Sequence, residues 1–199
     1  MHAASRLSSH VLAECATRER FALGIIDVDP LFQPILEGYS LTVSGLVALK
    51  ANHYRSQIQP KQVFDIVSNV SKNPMIEIQS TFALIDRYGS VEKAMVVPCC
   101  MVVGLAYEWL ASDPRYISIG SDPAVQFLRH LRNAAFHGNQ FNMRADLFDP
   151  ATGQLKKKAS WRSIELLPSH NGTAPFFKLL EAGDPLWLLH DITQLLKST

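Results

Sequence analysis

The chain has 199 residues, of which 47% are hydrophobic and 19% are charged, and its formal net charge is +1. This length and composition suit one folded domain with a sizeable core, and they exclude a globally disordered chain. They also exclude a protein that coats nucleic acid by charge alone, so any nucleic-acid function must depend on a local site.

The cysteines and the apolar runs indicate in which cellular compartment the protein is expected. Three cysteines, two of them adjacent, make a poor disulfide framework and lack the spacing of a metal site. The N-terminus does not resemble a secretory signal, because its apolar run 11–16 is short and contains Glu14. The longest apolar run, 94–107, is too short to span a membrane. We therefore predict a soluble, cytoplasmic protein with no membrane partner.

Apolar residues at helical spacing predict helices along most of the chain. The predicted helices cover residues 5–23, 35–57, 61–70, about 74–89 and 90–111. A connection with two prolines, 27–34, separates the first two. The segment 90–111 is apolar on nearly every side, as expected for a central helix, and Pro98 should either kink it or mark its true start.

The next predicted helix, Pro123–His137, has the clearest signals at its two ends. Asp122 is suited to cap its N-terminus, and a proline at the first helical position is favourable. Gly138 follows as a typical helix stop. We therefore expect this helix to end at the histidine.

A small β-hairpin is predicted after this helix. Residues 141–147 alternate between apolar and polar, 149–153 are typical of a turn, and 155–166 look extended. This pattern would place Lys156–Lys158 near the tip of the hairpin.

A last helix, about 185–197, closes the chain. The sequence therefore predicts an all-α, mainly helical bundle. It would form a single domain over 1–199, with a β-hairpin appendage at about 141–166 before the C-terminal helix.

One face of the 123–137 helix carries an unusual set of side chains. Projection at 100° per residue gathers the apolar residues on one side and the polar residues on the other. The polar side consists of Gln126, Arg129, His130, Asn133 and His137, with Arg132 at its edge. It contains no acid, and cations beside titratable imidazoles suit an anion, above all phosphate.

The segment Arg132–His137, which reads Arg-Asn-Ala-Ala-Phe-His, resembles the signature of the HEPN superfamily. That signature is an arginine, a following polar residue, and a histidine after a gap of four to six residues. Here four residues separate Arg132 from His137, and Asn133 occupies the polar position. The continuation through Gly138 and Asn139 is also similar to members of that superfamily, particularly of a plasmid-borne bacterial branch. The place of the motif, at the end of a well-capped helix that follows a buried one, agrees with the resemblance.

The resemblance implies a HEPN-like helical bundle that acts as a metal-independent endoribonuclease, with no cofactor. HEPN nucleases are homodimers that bring the motifs of two subunits into one cleft. Attack by the ribose 2′-hydroxyl would leave a 2′,3′-cyclic phosphate and a 5′-hydroxyl. Such an enzyme would fit a toxin or defence effector, with RNA as substrate and an antitoxin or other regulatory protein as a further partner.

The chemistry of the residues agrees with this interpretation. In-line attack by a 2′-hydroxyl needs a base, an acid, and cations for the crowded phosphorane. His137 can take either proton-transfer role, and Arg132 can hold phosphate oxygens with its planar guanidinium. A symmetric dimer would supply two copies of the histidine around one phosphate. The supporting residues are Asn133, His130 and Arg129, and the candidate RNA ligands are Gln126 and Arg129.

Other interpretations of the same residues stay open. Arg132 and His137 would also suit an ordinary helix C-terminus, where the helix dipole favours cations. His130 and His137 lie on one face as metal ligands can, but no nearby Asp, Glu or Cys completes a set. Lys156–Lys158 would contact RNA backbone or be simply solvated. The alternative function is a non-catalytic HEPN scaffold that binds RNA, nucleotide or a partner protein.

Overall fold

The computed structural model describes residues 26–51, 63–65, 75–89 and 91–199. Within these ranges the protein is mainly helical, as predicted, and has two short antiparallel strand pairs, of which only the one near the C-terminus was predicted. The helix predicted for 5–23 lies outside the described residues. No helix in the described ranges is long and apolar enough to cross a bilayer.

Helix α1, Gln33–Lys50, follows the proline-containing connection as predicted. It ends earlier than expected, because Ala51 has an extended backbone with a ψ of 123°. Its first two turns bury Ile35, Leu36 and Tyr39 in the core.

The prediction of a helix over 61–70 is wrong for residues 63–65, the three residues of that range that the structure describes. Val63–Asp65 forms strand β1, which pairs antiparallel with strand β2, Met75–Glu77. The helix predicted from about Pro74 correspondingly begins later, and α2 spans Ile78–Tyr88. β-branched and aromatic residues fit a paired strand, and pairing between separate segments leaves no trace in helical spacing.

Two helices replace the single helix predicted for 90–111. Helix α3, Val91–Ala94, is separated by a turn at Met95 from helix α4, Val96–Ser112. Pro98 lies in the first turn of α4, where backbone N–H groups have no intrahelical partner. It therefore marks the start of the helix, one of the two outcomes that the sequence allowed.

The short helix α5, Tyr116–Ile119, leads into helix α6, Pro123–Phe136, which agrees with prediction at both ends. The carboxylate of Asp122 accepts a hydrogen bond of 2.8 Å from the backbone nitrogen of Ala124. Gly138 has a φ of +70°, which glycine adopts without strain, and the helix ends just before it.

The β-hairpin predicted for about 141–166 is present but smaller. Its paired strands are β3, Ser160–Trp161, and β4, Ile164–Glu165. Residues 141–147, predicted to be extended, contain a single 3₁₀ turn at Ala145–Leu147.

A second, shorter fold-back precedes this hairpin. An isolated antiparallel bridge joins Phe148 and Leu155, with the predicted turn residues 149–153 between them. Lys156–Lys158 follow this fold-back and precede strand β3. They therefore lie between the two fold-backs and not at a hairpin tip, where the sequence predicts them.

Helix α7, Asp184–Lys197, closes the fold as predicted. The β3–β4 hairpin is attached to it through Asp191. The indole nitrogen of Trp161 donates to the Asp191 carboxylate at 2.8 Å, and Nε of Arg162 donates to the same oxygen at 2.9 Å.

Helix α4 is central among the described elements, since it packs against α1, α6 and α7. Its buried side chains are Cys99, Val102, Val103, Ala106 and Leu110. Another side stays open: Val97 and Met101 are each 59% exposed, and Leu105 is 41% exposed. Burial is therefore less complete than the apolar sequence of this helix predicts.

Candidate functional site

A polar cleft of about 630 Å³ lies between helix α6 and the segment 142–157. One wall is the polar face of α6, formed by Gln126, Arg129, His130, Asn133 and His137. The facing wall carries Asn142, Arg144, Asp146, Lys156 and Lys157, over Leu147 and Leu155. The structure therefore brings five of the six sequence-predicted site residues to one cleft.

Positive charge predominates in this polar cleft. Asp146 is the one acid among the described residues that line it. Arg144 donates from Nε to Asp146 at 3.0 Å and from Nη2 at 2.5 Å, and these bonds lower the pKa of the Asp146 carboxyl. Arg129, Lys156 and Lys157 form no ion pair with any described residue. Their charge is available to an anionic ligand.

The two histidines of the cleft differ in their surroundings. His137 is exposed at the end of α6, whereas His130 is partly buried. Burial lowers the pKa of His130, and the neighbouring Arg129 lowers it further. His130 is therefore neutral near pH 7 and suited to accept a proton or a hydrogen bond.

His137 also borders a second polar cleft, of about 370 Å³, which we call the amide cleft. Its other lining residues are Gln140, Phe141, Asn142, Asn171 and Gly172. Asn142 lines both clefts. Oδ1 of Asn171 accepts a hydrogen bond of 2.7 Å from the backbone nitrogen of Met143, so its amide nitrogen keeps its donors. The imidazole thus lies where a cationic cleft and an amide-lined cleft meet.

The guanidinium of Arg132 lies outside the polar cleft. Its Nε donates to Oε1 of Glu108 at 2.7 Å, and its Nη2 bonds to the same oxygen. Its Cζ lies 4.7 Å from the centre of the Phe136 ring. Within one chain, Arg132 therefore lines neither of the two described clefts that His137 borders.

Asn133 connects the two parts of the motif. Its side chain lines the polar cleft, and its Oδ1 accepts a hydrogen bond of 3.2 Å from Nη1 of Arg132. A ligand between Asn133 and His137 would therefore contact the Asn133 side chain, which is itself hydrogen-bonded to Arg132.

Gln126 is placed differently from the other polar residues of α6. It is only 2% exposed, and its Nε2 donates to the backbone oxygen of Gly120 at 2.5 Å. It forms part of the floor of the cleft with one donor already used. Its role as an RNA ligand stays a prediction.

An apolar groove of about 570 Å³ lies between α4 and the end of α6, beside the Arg132–Glu108 pair. Phe136 is 67% exposed there, and Met101 and Leu105 line the same groove. The Phe136 ring packs on Gly104, where an added Cβ would lie 3.6 Å from Cζ of the ring. Because Gly104 has no side chain, the Phe136 ring can lie directly against the backbone of α4.

Sequence reasoning missed several residues that the structure places near the motif. Glu108 had a signal, because it is the lone charged residue in the apolar segment 94–111. Asn142, Arg144 and Asp146 had none, since nothing in their spacing predicts that they face α6.

No group of three or more His, Cys, Asp or Glu side chains in the described ranges is arranged to hold a metal ion. Comparison of the chain with family models, with curated proteins and with solved structures finds no match. The activity of the clefts must therefore be inferred from their own side chains.

Proposed function

We propose that the protein is a metal-independent endoribonuclease of the HEPN type, and that RNA binds in the polar cleft beside His137. One observation carries this proposal: two histidines, Asn133 and three cations that form no ion pair with any described residue surround one space. The volume of about 630 Å³ is in the range of small-ligand sites and has room for a nucleotide.

Cleavage in this cleft would proceed through the ribose 2′-hydroxyl. A neutral imidazole takes the 2′-hydroxyl proton while the 2′-oxygen forms a bond to phosphorus. The bond from phosphorus to the 5′-oxygen breaks, and a protonated imidazole supplies the proton for that leaving oxygen. The products are a 2′,3′-cyclic phosphate and a 5′-hydroxyl, and cations stabilise the extra charge of the phosphorane.

Two imidazoles are needed at one phosphate, which favours a homodimer. His130 and His137 are seven residues apart, or about 10 Å along a helix axis. This separation is long for acid and base at the same phosphorus, so we assign the second role to His137 of another copy.

The apolar groove supports the same arrangement. Exposed Met101 and Phe136 give a surface suited to burial against another subunit. Arg132 borders this groove through its contacts with Glu108 and Phe136. In a dimer closed on this face, the guanidinium would be near the phosphate of a composite site.

Incubation of the purified protein with total RNA in EDTA tests the proposal. We expect cleavage that survives EDTA and leaves 2′,3′-cyclic phosphate ends. His137→Ala and Arg132→Ala should abolish it with an unchanged circular dichroism spectrum. His170→Gln, at a histidine that lines neither polar cleft, is the control and should cut normally. Intact RNA after incubation with the unmodified protein would contradict the proposal.

The second candidate function is a HEPN-type scaffold that binds RNA, nucleotide or a partner protein without cutting. It is favoured by the position of Arg132, which is paired with Glu108 outside the polar cleft. This candidate predicts RNA binding that His137→Gln leaves unchanged, with no cleavage products at any protein concentration.

A further inference from the structure

We propose that the segment 142–157 is a second phosphate-binding wall, so that the polar cleft holds a single-stranded RNA backbone through more than one phosphate. The choice of RNA rests on the proposed function. The wall itself rests on the position, support and charge of three side chains: Arg144, Lys156 and Lys157.

Packing contacts and hydrogen bonds hold the wall where it faces α6. Leu147 and Leu155 pack against the hydrophobic core, and the Phe148–Leu155 bridge closes the fold-back. The backbone nitrogen of Lys156 donates to the oxygen of Leu147 at 2.9 Å. The Asp149 carboxylate accepts a hydrogen bond of 2.7 Å from the turn that follows it. The backbone of Lys156 is therefore already hydrogen-bonded in the protein without ligand, which reduces the entropy cost of binding.

The other end of the wall is fixed as well. Met143 is 4% exposed, and its backbone nitrogen donates to Oδ1 of Asn171 at 2.7 Å. This anchor places Asn142 and Arg144, the two neighbours of Met143, on the rim of the cleft.

The wall has the charge that a polyanion requires. Where it lines the polar cleft, it carries three cations and one acid, Asp146, which leaves two positive charges there. The other acid of the segment, Asp149, does not line the cleft and accepts a hydrogen bond from the turn that follows it. Arg144 already binds Asp146, so the charge open to a ligand comes from Lys156 and Lys157, which have no ion-pair partner within the described ranges. Arg129, equally without such a partner there, adds a third cation from the opposite wall. Cations on both walls suit successive phosphates of one strand better than a single phosphate.

The amide cleft indicates that the strand is unpaired. Gln140, Asn142 and Asn171 present amides, which hydrogen-bond to base edges. A base offers those edges only when it is unstacked and unpaired, and RNA recognition of this kind uses single strands. A strand along the polar cleft could place one base there, next to His137.

Lys158 provides a matched control. It is exposed and follows Lys157 directly, but it does not line the polar cleft. Its replacement removes the same charge one position beyond the wall, at a residue that does not line the cleft.

The test uses the full chain with His137→Ala, so that a fluorescent single-stranded RNA is bound and not cut. We expect Lys156→Gln with Lys157→Gln to weaken Kd about tenfold. The slope of log Kd against log salt should fall by about 1.4, which is roughly 0.7 for each phosphate that the double variant no longer binds. Lys158→Gln should change neither quantity, and duplex RNA of the same sequence should bind more weakly.

Three outcomes would contradict the proposal of a phosphate-binding wall. These are unchanged RNA binding in the double variant, an equally weakened Kd in Lys158→Gln, or no RNA binding at all. Equal affinity for duplex RNA would overturn the single-strand assignment. These results are separable from failure of the proposed function. If RNA is cleaved in EDTA but the double variant keeps the same salt slope, the nuclease proposal is supported and the phosphate-binding wall is excluded. If RNA is bound with the expected slope but never cut by the unmodified protein, the wall is supported and the nuclease proposal is excluded.

Discussion

Arg132 on α6 and Glu108 on α4 are joined by two hydrogen bonds, both to the same carboxylate oxygen. The side chains are 33% and 50% exposed, so the pair contributes at most about 1 kcal/mol to stability. The main effect of the pair is to orient the guanidinium of Arg132, because two of its three nitrogens are bonded to Glu108. The remaining nitrogen, Nη1, is directed to Asn133 at the edge of the polar cleft.

Replacement of Glu108 should therefore affect catalysis more than folding. Under the proposed function, Glu108→Ala should lower kcat on the order of tenfold to a hundredfold with little change in KM, because the guanidinium is no longer held in a fixed orientation. Glu108→Gln keeps one acceptor oxygen and should restore a large part of kcat. Steady-state cleavage assays, together with urea unfolding, measure both effects. Equal activity in the two variants, or a parallel loss of stability, would argue against a positioning role.

Self-association should depend on the apolar groove. Met101→Glu introduces a charge at a side chain that is 59% exposed on α4. If a second copy covers this face, the variant should sediment as a monomer and should lose cleavage, because a charge buried at an interface is strongly unfavourable. Ile117→Glu is the matched control, since Ile117 is 90% exposed on α5 and does not line the groove. Sedimentation velocity at several concentrations distinguishes the variants, and a monomeric unmodified protein would contradict the dimer.

His130 should make stability depend on pH. Its pKa in the folded protein lies below the ordinary value of 6.5, because of burial and then of Arg129. Well above pH 6.5 the imidazole is neutral in both folded and unfolded chains, so its titration does not affect the free energy of unfolding there. As the pH falls below 6.5 the unfolded chain binds the proton first, so the free energy of unfolding decreases down to the folded pKa. Urea unfolding at pH 7.5 and 5.5 should show a smaller decrease for His130→Gln than for the unmodified protein, and an identical decrease would exclude this effect.

The turn after α6 should be sensitive to a side chain at Gly138. With a φ of +70°, Gly138→Ala forces alanine into a left-handed conformation, which costs about 1–2 kcal/mol. Steric crowding is not the reason, because no atom of a described residue beyond the two chain neighbours lies within 4 Å of the added Cβ. Gly45→Ala is the control, since Gly45 has equal space inside α1 and should gain about 0.5–1 kcal/mol. Chemical denaturation of both variants would show opposite signs if backbone conformation decides the outcome.

Local signals predicted the helix that carries the motif. Asp122 and Gly138 define its ends through interactions within a few residues, so the sequence contained that information. The polar face of α6 was predicted for the same reason, and five of its residues line one cleft.

Features that depend on distant segments could not be predicted in this way. The strand pair of β1 and β2 joins residues at least ten positions apart, and helical spacing does not detect it. The facing wall of the cleft depends on how the segment 142–157 returns toward α6. Arg132 stands on the edge of the α6 face, and its contact with Glu108, 24 positions earlier, decides to which side it turns.

His137 is followed by two consecutive residues with positive φ, Gly138 and Asn139, in the turn that ends α6. This turn is hydrogen-bonded to a residue far along the sequence. The side-chain oxygen of Asn139 accepts a hydrogen bond from the backbone nitrogen of Phe176, which lies 37 positions later. The turn that carries the imidazole is thus bound to a loop far along the chain. Substitutions near Phe176 should shift the imidazole while α6 itself stays intact, so the geometry at His137 depends on residues well outside the Arg132–His137 segment.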